Sequence, residues 1–142
     1  MSSLLLCLVV AIADGDTLTA RCGEPGAYQQ VKVRLAEIDA PEKAQPFGNR
    51  SRQHLASLCF QQTATIRPAT TDRYGRTVAR VECQGKDANL QQVRAGMAWA
   101  YTRYLTDPAI ASAQDTARGE GAGLWGGPSP IPPWDWRRKP TP

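Results

Sequence analysis

Three short stretches of the chain carry residues that can do chemistry together. They are Asp14-Gly15-Asp16-Thr17, the run Arg34-Leu35-Ala36-Glu37-Ile38-Asp39-Ala40-Pro41-Glu42, and Asp72-Arg73-Tyr74-Gly75-Arg76. Carboxylates are the hard-oxygen donors that calcium and magnesium take. Arginine forks grip phosphate oxygens bidentately. A phosphodiester attacked by water needs both: cations on its non-bridging oxygens and a carboxylate to orient the water. Glu42 stands three residues beyond Asp39. One loop can therefore present both to a single ion and its water.

Taken singly, each residue has an ordinary explanation. Asp14 suits the first position of a hairpin turn, and Asp39 before Ala40-Pro41 suits a loop stabilised by its own side chain. Arg34 lies between core positions and is read as one of the polar residues facing solvent. Tyr74-Gly75 fits a plain turn. Asp16 has no turn duty in this reading, so a chemical role weighs about evenly with an ordinary one.

The elements that must position these residues follow from pattern. Leu4 to Ala20 reads as strand, turn, strand, with Asp14-Gly15 as the two turn residues. A third strand fits Gln29 to Glu37, with Val31, Val33 and Leu35 on one face. Pro41 and Pro46 keep Asp39 to Gly48 irregular. A helix over Asn49–Cys59 is capped by Asn49 and buries Leu55, Leu58 and Cys59. Thr63 to Arg67 and Thr77 to Cys83 read as two more strands. A short helix starts at Asp87 or Asn89 and ends at Gly96. A longer one, capped by Asp107 with Pro108 at its first position, runs to about Arg118. Five strands and three helices make an α+β domain built on a small barrel. That domain spans residues 1–126. Residues 127–142 form a Pro/Trp/Arg-rich tail, expected to be extended.

Composition sets the frame. The chain has 142 residues, 42% apolar and 21% charged, which suits one globular domain with a real core. No apolar run approaches the ~20 residues needed to cross a bilayer. Seventeen Lys and Arg face thirteen Asp and Glu, a net charge of +4. Such a balance fits a polyanionic partner. His54, the single histidine, falls on an exposed helical position, and no Ser-His-Asp triad forms around it.

The four cysteines, Cys7, Cys22, Cys59 and Cys83, contain no C-x-x-C pair, which argues against zinc. An even number fits two disulfides and an oxidising compartment. With Asp14-Gly15 as the turn, partners across the hairpin have numbers summing to 29, which sets Cys7 opposite Cys22. Cys59 and Cys83 then pair by elimination. The apolar run Leu4 to Ala13 is not read as a signal peptide, because no basic residue precedes it and cleavage would remove a strand. An export signal is expected upstream instead, with Met1-Ser2-Ser3 as a remnant, so the protein is expected to be secreted or periplasmic.

The clusters above, in order and spacing, together with Gly123-Leu124-Trp125, resemble the staphylococcal-nuclease-like (thermonuclease) family over about Leu8 to Trp125. The resemblance implies a five-stranded OB-type barrel with three helices and a calcium-dependent phosphodiesterase acting on DNA and RNA. Carried over residue by residue, it implies that Asp16, Asp39 and the Ala40 carbonyl bind Ca2+ and that Glu42 orients or deprotonates water. Arg34 and Arg76 hold the scissile phosphate. Arg73, Tyr74 and Tyr104 contact the nucleotide. The 5′ oxygen leaves, so products end in a 3′-phosphate. A monomer without membrane contact is expected. Two departures accompany the match: alanine at position 40, where some relatives carry threonine, and a shorter loop at Lys43 to Phe47. The alternative is the same barrel holding nucleic acid without cutting it. Degenerate copies lose the carboxylates or arginines, whereas all five ionisable residues of the set are present here. The segment Trp134-Asp135-Trp136-Arg137-Arg138-Lys139 lies outside the resemblance. It either clamps the barrel, touches substrate or is solvated, the last being favoured.

Overall fold

The computed structural model describes residues 4–138. Eight strands are present: β1 (Leu5–Asp14), β2 (Thr17–Cys22), β3 (Gln29–Leu35), β4 (Ile38–Asp39), β5 (Thr63–Thr71), β6 (Thr77–Cys83), β7 (Lys86–Asp87) and β8 (Trp99–Ala100). Five of them form the expected barrel. The order β3-β2-β1-β5-β6 is antiparallel throughout. Parallel pairing of Val33 to Leu35 with Thr77 to Ala79 closes it. Leu18, Val33, Ile66 and Val81 alternate with polar neighbours and, with Val9 and Leu35, point inward, where they are almost wholly buried. Each such side chain stabilises the fold by roughly 1.5–3 kcal/mol. The three extra strands are two residues long, too short for alternation to reveal. One of them matters: β4 pairs with β8, setting Asp39 opposite Trp99.

The hairpin corrects the expected turn. Asp14 pairs with Thr17, so Gly15 and Asp16 are the turn residues. Two irregularities in β1, between Val9 and Ala11 and between Ile12 and Asp14, then shift the register and bring Cys7 opposite Cys22 after all. The pairing argued from the sequence is present, but bulges deliver it in place of a regular ladder. Cys7–Cys22 and Cys59–Cys83 both form disulfides, with Cα separations of 4.4 Å and 5.3 Å. The second ties the end of the first helix to the end of β6. Replacing Cys59 and Cys83 together by alanine is expected to lower unfolding free energy by about 2–4 kcal/mol. Urea unfolding measures this, and an unchanged midpoint contradicts it.

Among the described residues four α-helices accompany the barrel: α1 (Gly48–Cys59), α2 (Ala88–Arg94), α3 (Pro108–Glu120) and α4 (Pro133–Arg137). Asp87 caps α2 by accepting from Leu90 N–H, and Asp107 caps α3 by accepting from Ala109 N–H. Asn49 does not cap α1. The helix starts at Gly48, and its cap position is Phe47 in a left-handed conformation, with no side-chain cap. The reason is close packing: a Cβ on Gly48 would lie 2.2 Å from the Glu42 carbonyl oxygen, so the helix begins pressed against that loop. The tail is not extended throughout, since α4 lies within it. The expected remnant Met1-Ser2-Ser3, and Lys139 of the tail, lie outside the described residues. Among those residues, no helix is long and apolar enough to cross a membrane.

Candidate active site at the barrel rim

Asp16, Arg34 and Asp39 meet at one end of the barrel. Asp16 follows from the hairpin turn, which is held from behind by the buried Gln92. Its amide Nε2 donates to the Gly15 carbonyl at 2.7 Å and the Ser51 carbonyl at 3.0 Å. Gly15 is required here by contact, since a Cβ would lie 1.7 Å from Ser51 Oγ. The Asp16 carboxylate accepts from Thr17 Oγ1 at 2.9 Å and from the Ala40 N–H at 2.8 Å. The second bond joins the hairpin to the loop that carries Asp39. The bulges in β1 sit directly before this turn and re-aim it, a common use of bulges beside functional sites.

Arg34 does not face solvent. Its Nη2 lies 3.5 Å from Asp16 and 3.3 Å from Asp39. Its Nη1 donates to the Leu35 and Ile38 carbonyls at 2.8 and 2.9 Å. Strand β3 ends at Leu35, and Glu37 turns the chain through a positive φ of 69° into β4. That turn is held by buried Asn89, whose Nδ2 donates to the Ala36 and Ala79 carbonyls. Asp39 is 1% exposed. Burial pushes its carboxyl above the ordinary carboxylate range, and the Asp16 charge adds to this. The hydrogen bond from Arg137 and the charges of Arg34 and Arg137 act the other way. Asp14 is likewise raised by burial, then by the charges of Asp16 and Glu42. Three carboxylates besides Asp39 thus feel one another at this rim, and the sequence reading had given Asp14 only a turn role.

Glu42 sits on the loop between β4 and α1. Its N–H donates to Gln45 Oε1 at 3.0 Å, while Gln45 N–H donates back to the Glu42 carbonyl at 2.8 Å. Two prolines, Pro41 and Pro46, hold the rest of the loop open. The Glu42 side chain remains about one third exposed, so it can meet an incoming molecule.

Arg76 immediately precedes β6, whose first residues Thr77 and Val78 lie opposite Val33 and Arg34, and its guanidinium pairs with Asp72. Asp72 braces the turn, accepting from Tyr74 N–H, Arg76 N–H and Arg76 Nε. Tyr74 is 68% exposed and lies under the guanidiniums of Arg73, 4.9 Å from the ring centre, and Arg76, 5.5 Å away. Tyr104 stands apart from this loop. It packs edge-on to Tyr101 at 5.2 Å in the segment after β8. The structure therefore joins Asp16, Arg34, Asp39 and Ala40 by direct contacts; Arg73, Tyr74 and Arg76 contact one another and Asp72 on the β5–β6 turn, and Tyr104 packs on Tyr101 after β8.

The solvated tail is overturned. Arg137 Nη2 lies 2.6 Å from one Asp39 oxygen, and Nη1 lies 3.2 Å from the other and 2.6 Å from Glu42 Oε1. Hydrogen bonding to Asp39 raises the Arg137 pKa beyond its ordinary value, against the opposing effect of burial. Trp134 stacks on Tyr101, with ring centres 5.4 Å apart and planes within 7°. No local pattern could have paired residues 98 positions apart. The one available signal was an Arg-and-Trp-rich segment in a tail with no core to join. His54 is not simply exposed either, because its Nδ1 hydrogen-bonds Gln92 Oε1. Among the described residues there is no group of three or more His, Cys, Asp or Glu side chains that could hold a metal ion. Any hard cation here would draw on the Asp16 and Asp39 pair with backbone oxygen.

Residues 32–127 match the family model described as "Staphylococcal nuclease homologue". A Haemophilus influenzae protein named "Uncharacterized endonuclease" is 48% identical over 133 residues, which cover 94% of this chain and 73% of that protein. "Micrococcal nuclease" from Shigella flexneri is 41% identical over 141 residues, covering 92% of this chain and 79% of the relative. "Protein ParB" from Escherichia coli is 41% identical over 142 residues, covering 92% and 78%. The closed barrel agrees with these matches: the chain belongs to the staphylococcal nuclease homologue family and is a nuclease, a hydrolase.

Proposed function

We propose that this nuclease is calcium-dependent, cleaves both DNA and RNA, and leaves 3′-phosphate ends. The observation that carries the reading is the buried pair Asp16 and Asp39 sharing Arg34 Nη2 at the rim, with Glu42 on the adjoining loop. The donor chemistry fits a hard cation: the two carboxylates are 6% and 1% exposed, and one of them already accepts a cationic fork from Arg137. Asp16, Asp39 and the Ala40 carbonyl would hold calcium. Once bound, the ion supplies positive charge against a phosphate oxygen and a site for water.

The chain's own residues supply the rest. Glu42, partly exposed, accepts the proton of the attacking water. Arg34 and Arg76 donate to the non-bridging oxygens, and those bonds strengthen as negative charge builds in the transition state. Arg73, Tyr74 and Tyr104 take the nucleotide through stacking and charge. The two disulfides support an exported protein in an oxidising compartment, and it acts as a monomer.

Product ends test the reaction. Single-stranded DNA labelled at its 5′ end, digested in the presence of calcium, is expected to give fragments whose mobility changes on treatment with a 3′-phosphatase. Fragments carrying 3′-hydroxyls contradict the assigned leaving group. Equal digestion of single-stranded RNA is not required, but complete resistance of RNA contradicts the breadth of the proposal.

A further inference from the structure

The C-terminal tail crosses the candidate active site and engages it at three points. Arg137 forks both oxygens of Asp39 and one of Glu42. Trp134 stacks on Tyr101 and meets Trp99 edge-on at 5.7 Å. Ile131 accepts from Gln45 Nε2 at 2.6 Å, through the same glutamine that braces the Glu42 backbone. The Asp39 and Glu42 oxygens are ones that the catalytic reading needs open.

We propose that the segment from Ile131 to Arg137 is an internal competitor, with Arg137 occupying the carboxylates in place of the divalent cation. The inference rests on the calcium reading of Asp16 and Asp39. Both Asp39 oxygens already accept from one guanidinium, so ion and arginine compete for the same lone pairs. Calcium would be a third cation at a buried carboxylate that Arg34 and Arg137 already pair with, so it would repel both. Docking of the tail and binding of calcium therefore exclude each other.

The tail is built to leave. Arg137 is 41% exposed, and α4 is a single short helix. A cavity of about 280 Å³, lined by Pro41, Phe47, Trp99, Pro130 and Ile131 among others, remains between the tail and the loop it covers. Imperfect packing of this kind forfeits dispersion contacts and weakens the seat. Being tethered, the arginine still competes at an effective concentration in the millimolar range. A nuclease of this design rests closed when calcium is scarce and opens when calcium is abundant.

The test is calorimetric titration of calcium into the full chain, without nucleic acid. Arg137→Ala is expected to bind calcium roughly tenfold more tightly than the wild type, because the competitor is gone. Trp134→Ala, which removes the other anchor, shifts affinity in the same direction and serves if Arg137→Ala fails to fold. Arg138→Ala, next along the chain and paired with Asp135, leaves it unchanged. In the wild type, saturating calcium accelerates trypsin cleavage after Arg137 or Arg138. Equal calcium affinity in all four proteins, or protection of the tail by calcium, overturns the proposal and leaves the metal assignment standing. Calcium binding to none of them overturns both.

Discussion

Arg76→Ala is expected to lower turnover of single-stranded DNA by roughly 10²–10³, the usual cost of removing one electrostatic donor aimed at a transition state. The fold should survive. Arg76 is 29% exposed and pairs with Asp72, itself 21% exposed, so the acid left behind is solvated. Arg34→Ala is expected to cost as much turnover but also on the order of 2–3 kcal/mol of stability. Its guanidinium satisfies two backbone carbonyls and lies between two buried carboxylates, which lose their shared partner. Lysine rescues neither position well, because a point charge cannot span two oxygens. Steady-state kinetics with thermal unfolding separates the two effects. Near-wild-type turnover in either alanine variant removes that arginine from its assigned role.

Glu42→Gln is expected to slow cleavage by about 10²–10⁴ while calcium and substrate still bind. The amide keeps the shape of the side chain and loses the basic oxygen. It also loses the charge that holds Arg137 Nη1, so the tail loosens and calcium affinity should hold or improve. Single-turnover kinetics alongside calcium titration reads this directly. Unchanged turnover removes the base assignment. Calcium affinity falling in step with activity makes Glu42 mainly a direct ligand.

The chemistry of the rim was legible because it is written in local clusters. Asp16, Arg34, Asp39 and Glu42 sit at turns and strand ends that short-range patterns mark well. The register of the hairpin was legible only by compensation: the turn lies one residue later than read, and two bulges restore the Cys7–Cys22 pairing. Bulges leave no mark in hydrophobic alternation, so nothing local announces them. Arg34 looked solvent-facing by period-2 reasoning because it does alternate with the buried Val33 and Leu35, but its outward face is covered by Asp16 and the loop of Asp39 instead of water. The tail was illegible for a different reason. Its residues have no periodicity, and their partners, Asp39, Tyr101 and Gln45, lie far away in sequence. Only the closed barrel brings them within reach. The same holds for Gln92 and Asn89, polar residues on a short helix whose hydrogen bonds tie the hairpin turn and the β3–β4 turn into place.

The most direct measurement is the rate of single-stranded DNA cleavage by the full chain across a calcium titration, beside the same reaction in excess chelator. The account predicts saturable activation by calcium, a much weaker response to magnesium because of its stricter octahedral geometry, and no cleavage in chelator. Full activity in excess chelator contradicts it.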